Sequence, residues 1–113
     1  MIIVNGIKNC DSVKKALKFL KENNIEHSFR DFKADPANCD EIKKWLKGSD
    51  IGKLFNTRGT TYRKLNLKEL NLDENGKVDW LCKENLLIKR PVIQYPNGII
   101  VGYDKEIYEM EFL

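Results

Sequence analysis

The chain has 113 residues, 42% of them hydrophobic, which is enough for one core without cross-links. Its net charge is +3, from 20 Lys and Arg against 17 Asp and Glu interspersed along the chain. That pattern reads as a solvated mixed surface and speaks against a dedicated nucleic-acid binder, which concentrates positive charge on one face. No apolar run approaches the ~20 residues that span a bilayer, and Met1-Ile2-Ile3-Val4 lacks the basic n-region of a secretory leader. A soluble cytoplasmic domain is expected, with no membrane partner and no direct nucleic-acid contact.

The first element is Ile2-Ile3-Val4, a β-branched run that reads as a buried strand. After Gly6–Asn9, Val13, Ala16, Leu17 and Leu20 recur at helical spacing, with Lys14, Lys15, Lys18 and Lys21 largely opposite. This predicts an amphipathic helix of about three turns, ending near Asn23-Asn24. Ile25–Phe32 reads as a second strand. From Pro36 to Leu87 the signals are helical and short: Ala37–Leu46 stopped by Gly48, a turn of helix at Ile51–Phe55, a piece at Leu65–Leu72, a turn cluster at Asp73–Gly76, and a helix over Val78–Leu87. Trp45 and Trp80 fall at core-like helical positions. Pro91–Tyr95 and Gly98–Gly102 then read as a hairpin, with Pro96 pointing to a loop longer than two residues. Asp104 caps a final helix through Glu111.

The order strand, helix, strand, helical block, strand, strand, helix is that of an α/β chain. It predicts a thioredoxin-like fold: a four-stranded mixed sheet with a parallel first crossover and an antiparallel final hairpin. The expected organisation is a single domain over residues 1–113. Residues 1–33 and 88–113 make the sheet core, and 34–87 make the helical insertion.

Three features could carry chemistry. Cys10 falls between strand and helix, where unsatisfied N–H groups and the positive end of the macrodipole favour a nucleophilic thiolate. Lys8 and Lys14 act in the same direction and Asp11 against it. Position and periodicity alone leave Cys10 open between a reactive thiol and a small buried hydrophobe. In "NTRGTTYRKL" (residues 56–65), Arg58 and Arg63 flank Gly59-Thr60-Thr61 in a polar, flexible loop able to offer guanidinium donors to an anion. Composition alone favours an ordinary surface loop there. In "IKRPVI" (residues 88–93), Arg90 precedes Pro91 at the mouth of a strand, and the bond between them is a candidate cis peptide. Cys39 and Cys82 read as structural. The three cysteines are odd in number and widely spaced, with no Cys-x-x-Cys pair and with His27 as the single histidine. Neither a disulfide framework nor a metal site is expected.

The blocks "GIKNCDSVKKALKFL", "NTRGTTYRKL" and "LIKRPVI…GIIVGYD", in this order and spacing, resemble the arsenate-reductase-like (ArsC) family, and most closely its Spx/YffB-like branch. The resemblance spans essentially the whole chain. It implies a thioredoxin-like fold with an inserted helical subdomain, and a cis proline at Pro91. It also implies a nucleophilic Cys10 with Arg58 and Arg90 holding an oxyanion, and Lys8, Asn9 and Pro91 join them as candidate substrate-binding residues. Arsenate reductases of the family carry His-Asn-Pro-Arg before the cysteine, where this chain has Gly6-Ile7-Lys8-Asn9. Tyr103 stands where a third oxyanion arginine belongs. Each lost charge-assisted hydrogen bond is worth roughly 1.5–3 kcal/mol, so weak arsenate binding is expected. Val13 stands where Spx has its second cysteine, so a Cys-x-x-Cys switch is excluded at this helix. The implied function is a monothiol, glutathione-dependent thiol reductase with no bound cofactor, glutathione as co-substrate and glutaredoxin as a partner. The alternative is a Spx-like regulator that binds the C-terminal domain of the RNA polymerase α subunit.

Overall fold

The computed structural model describes all 113 residues. β1 (Ile2–Gly6), α1 (Asp11–Glu22) and β2 (His27–Asp31) form a strand–helix–strand unit with β1 and β2 parallel. β3 (Val92–Tyr95) pairs antiparallel with β1, and β4 (Gly98–Val101) antiparallel with β3. The sheet order is therefore β2-β1-β3-β4, the predicted four-stranded mixed sheet. α6 (Lys105–Phe112) closes the chain, and Asp104 Oδ1 accepts from the Ile107 N–H at 3.2 Å as its cap.

Contacts divide the residues into two units, Met1–Asp35 with Arg90–Leu113, and Pro36–Lys89. The sheet unit is built around Ile2, Val4, Ala16, Phe19, Leu20, Ile93, Ile100 and Tyr108. The period-2 pattern of the strands and the 3.6-residue pattern of α1 deliver these side chains to one core. Aromatic rings extend it. Tyr108 meets Phe19, Tyr103 and Phe112 edge-on at centroid distances of 5.6, 5.1 and 5.4 Å. Its hydroxyl donates to the Gly102 carbonyl at 2.7 Å. That buried phenol titrates well above its ordinary range because burial disfavours the phenolate, with Tyr103 and Asp104 adding to the shift.

The helical unit holds α2 (Cys39–Lys47), α3 (Ile51–Leu54), α4 (Thr60–Lys64) and α5 (Glu74–Lys83), with 3-10 turns at Leu67–Leu70 and Asn85–Leu87. α2 opens with a capping box, Asn38 accepting from the Glu41 N–H and Glu41 accepting from the Asn38 N–H. Phe55 and Ile88 form an antiparallel bridge. On either side of it, the Asn56 N–H donates to Leu87 O and the Lys89 N–H to Leu54 O, both at 2.8 Å.

Several expectations are corrected. The hairpin loop is the two residues Pro96-Asn97, since Tyr95 pairs directly with Gly98. Gly98 takes φ +141, a conformation a side chain would resist, and this lets the strand resume at once. Asp73–Gly76 is not a free turn. Asp73 Oδ1 caps the Gly76 N–H at 2.7 Å, and the helix begins at Glu74. It ends at Lys83, because Glu84 is extended and its carboxylate accepts from the Leu86 N–H. Trp45 is buried as predicted, but Trp80 is half-buried, with the Lys83 ammonium 5.4 Å from its ring.

Cys39 and Cys82, expected as unpaired structural cysteines, form a disulfide across 43 residues of sequence. α2 and α5 pack on each other and bring the two Cα atoms to 5.0 Å. That lies inside the window a disulfide requires, and linear spacing gives no hint of it.

Candidate functional site at the start of the first helix

β1 delivers the chain to the site. Its last residues are Asn5 and Gly6, and the Gly6 carbonyl accepts from the Phe32 N–H at 2.8 Å. A Cβ on Gly6 would fall 2.6 Å from Val13 Cγ2 and 3.8 Å from Arg90 Cβ. The missing side chain therefore lets α1 approach the end of β1, with Arg90 alongside. Ile7 is buried and anchors the loop, while Lys8 and Asn9 are exposed.

Cys10 is the N-cap of α1. Its backbone is extended (φ −144, ψ 123), its carbonyl accepts from the Lys14 N–H at 2.9 Å, and its side chain makes no capping hydrogen bond. It is the free cysteine of the chain and is half-buried. A serine or aspartate at this position ordinarily spends its oxygen on the first-turn N–H groups. Here a sulfur occupies the cap and those donors stay uncommitted to it.

Arg90 and Pro91 complete this part of the site. The bond between them is cis, and Pro91 is buried at the entry to β3, its carbonyl accepting from the Gly102 N–H at 2.8 Å. Arg90 is half-buried, and its Nε is a buried donor without a hydrogen-bond partner. Such a group is costly unless something accepts from it. Thus Lys8, Asn9, Cys10, Arg90 and Pro91 all belong to the sheet unit, with Arg90 and the Cys10 loop meeting around Gly6.

Arg58 belongs to the helical unit. It is exposed, and its N–H donates to Asn56 Oδ1 at 3.0 Å. The predicted flexible loop is shorter than expected, because Thr60–Lys64 is the helix α4. A Cβ on Gly59, just before it, would lie 2.8 Å from Asn56 Nδ2, so that side chain would have to shift. Arg63 projects from α4 as an exposed side chain. Tyr103 is half-buried against Tyr108 in the aromatic cluster. No group of three or more His, Cys, Asp or Glu is disposed to hold a metal ion.

One residue of this region escaped the sequence reading. Asn5 is almost fully buried. Its Nδ2 donates to Val92 O at 2.9 Å and to Gln94 Oε1 at 3.0 Å, and its Oδ1 accepts from Arg30 Nη1 at 3.1 Å. It ties β2, β1 and β3 together one residue before Gly6. The available signal was an asparagine interrupting a β-branched run.

The family model of the ArsC family matches residues 5–110. The chain belongs to the ArsC family. An uncharacterized protein of Haemophilus influenzae is 37% identical over 113 residues, 99% of each chain. The global transcriptional regulator Spx of Listeria innocua is 29% identical over 108 residues, covering 94% of this chain and 82% of Spx. A solved structure of a YffB protein superposes with a TM-score of 0.92 at 29% identity and covers all of both chains. Within the ArsC family, then, this chain has likenesses to both the YffB and the Spx proteins, in a thioredoxin-like fold.

Proposed function

We propose that this ArsC-family protein is a monothiol reductase in which Cys10 is the nucleophile and glutathione the co-substrate. The observation that carries the reading is a free, half-buried cysteine at the cap of α1, its side chain uncommitted, with the unpartnered Nε of Arg90 at the neighbouring strand entry. The Cys10 thiolate attacks the glutathione sulfur of a mixed disulfide, forming a Cys10–glutathione disulfide and releasing the substrate thiolate, which takes a proton. A second glutathione thiolate attacks the glutathione sulfur on Cys10. This returns the Cys10 thiolate and yields glutathione disulfide. The net reaction reduces one substrate disulfide at the expense of two glutathione equivalents, one of them already in the substrate.

Arg90 serves a carboxylate of the glutathione moiety, since guanidinium matches a planar oxyanion. Lys8 and Asn9 contribute exposed donors beside Cys10. The absence of the histidine and arginine before Cys10 supports glutathione over arsenate as the anion served.

The test is incubation with glutathione disulfide followed by peptide mass analysis. The expected product is a mixed disulfide at Cys10, formed more slowly in Arg90→Ala and absent in Cys10→Ser. An unmodified Cys10 overturns the reading. The likeness to Spx favours a second reading, a regulator that binds the C-terminal domain of the RNA polymerase α subunit. Capture of that domain equally well by the natural chain and by Cys10→Ser supports it.

A further inference from the structure

We propose that Cys39 and Cys82 form a second redox site, a reversible dithiol–disulfide pair that exchanges with small thiols and disulfides of the glutathione class. The two sulfurs are bonded, and both residues are half-buried and not sealed in the core.

The pair does not depend on its own bond to stay together. Asn85 Oδ1 accepts from the Ala37 N–H at 2.6 Å. Asn85 Nδ2 donates to Ala37 O at 3.3 Å and to Leu81 O at 3.1 Å. These bonds tie the residues before Cys39 to those around Cys82. α2 and α5 also pack on each other, with Ile42, Trp45 and Leu81 buried. Reduction therefore leaves the two thiols side by side, as reoxidation requires, and does not release them into separate segments.

The two cysteines are not equivalent. Cys39 is the first residue of α2, a helix of nine residues, and Cys82 is the penultimate residue of α5. The positive helix end stabilises a thiolate at Cys39, and the negative end opposes one at Cys82. Asp40 and the half-buried Glu41 oppose the first effect and Lys83 the second. Asp40 and Lys83 are exposed and screened by solvent, and Glu41 already accepts from the Asn38 N–H. Glu84, close to Cys82 in the chain, adds to the second effect. The better leaving thiolate is therefore Cys39.

Reduction begins as a small thiolate attacks the Cys82 sulfur. The bond between the two protein sulfurs breaks, and Cys39 leaves as a thiolate. A second small thiolate then attacks the small-molecule sulfur of the mixed disulfide and releases Cys82. Two electrons pass to the protein, two protons end on its thiols, and one small disulfide is formed. Oxidation runs the same steps in reverse.

The experiment uses the full chain carrying Cys10→Ser, so its outcome is independent of the Cys10 reading. The protein is equilibrated with set ratios of reduced to oxidised glutathione, alkylated while folded with excess iodoacetamide at about pH 8, where thiolate is present, and its mass is measured. The expected result is a single cooperative gain of two alkyl groups as the ratio rises, lost again on return to glutathione disulfide, with helical circular dichroism retained throughout. Labelling only after denaturant unfolds the chain makes the bond a structural cross-link and overturns the proposal. So do reduced thiols that end as separate glutathione adducts. In single variants on the same background, Cys39 of Cys82→Ser is expected to alkylate faster than Cys82 of Cys39→Ser. The reverse order overturns the assigned direction of attack.

Discussion

At Gly6 the space of one methyl group decides how closely α1 can follow β1. Val13, which the missing side chain would strike, is fully buried and β-branched, so it has few rotamers to yield with. Gly6→Ala is expected to destabilise the protein by about 1–3 kcal/mol through overpacking, read as a lower midpoint in urea. Tyr108 is a second residue whose surroundings set a measurable property. Its folded-state ionisation lies above the ordinary value of 10.0 because the phenolate would be buried. The unfolded chain thus loses this proton first as pH rises. The stability contribution is whole below pH 10 and falls above it, by about 1.4 kcal/mol per pH unit from this group. Tyr108→Phe is expected to show a shallower loss of stability above pH 10 than the natural chain. It is also expected to be less stable at neutral pH, since the Gly102 carbonyl loses its 2.7 Å donor.

Among the elements, α2 combines two devices that the sequence signals unequally. Asn38 and Glu41 stand at the spacing of a capping box, and Asn38→Ala is expected to cost about 1 kcal/mol in thermal or urea unfolding. The disulfide from Cys39 to Cys82 closes a loop of 43 residues in sequence separation. Cross-links of this kind typically contribute about 2–4 kcal/mol by restricting the unfolded chain. Cys82→Ser is therefore expected to lower the unfolding midpoint of the oxidised protein and leave that of the reduced protein nearly unchanged. Local signals located the stop of α2 at Gly48 and the start of α6 at Asp104, because caps are sequence-adjacent, but they opened α2 at Ala37, two residues before its first helical residue Cys39. They misplaced α5 by reading Asp73–Gly76 as a turn, since the same residue types serve turns and helix starts.

For the whole molecule, strand order sets the hierarchy of protection. β1 is central, hydrogen-bonded to β2 and β3 on its two sides, whereas β4 has one neighbour. Amide exchange is expected to be slowest in β1 and faster in β4, with exchange of β1 approaching the rate of global unfolding. Faster exchange in β1 than in β4 would contradict the strand order. No helix is long and apolar enough to cross a membrane.

Periodicity was enough to find the sheet, its mixed character, the helical block and the placement of Cys10 at a helix start. Strands and amphipathic helices write their buried faces into local patterns of two and 3.6 residues. The resemblance of three short blocks was enough to find the ArsC family. Contacts between residues far apart in the chain leave no such record. The Asn5 network joins β1 to Arg30 and Gln94, the Cys39–Cys82 bond spans two helices, and the orphaned Nε of Arg90 exists only because the folded chain buries it. Each depends on which backbones the fold brings within a few ångströms. Tertiary packing alone decided those three features, whereas Cys10, the proposed nucleophile, was already legible at its helix start.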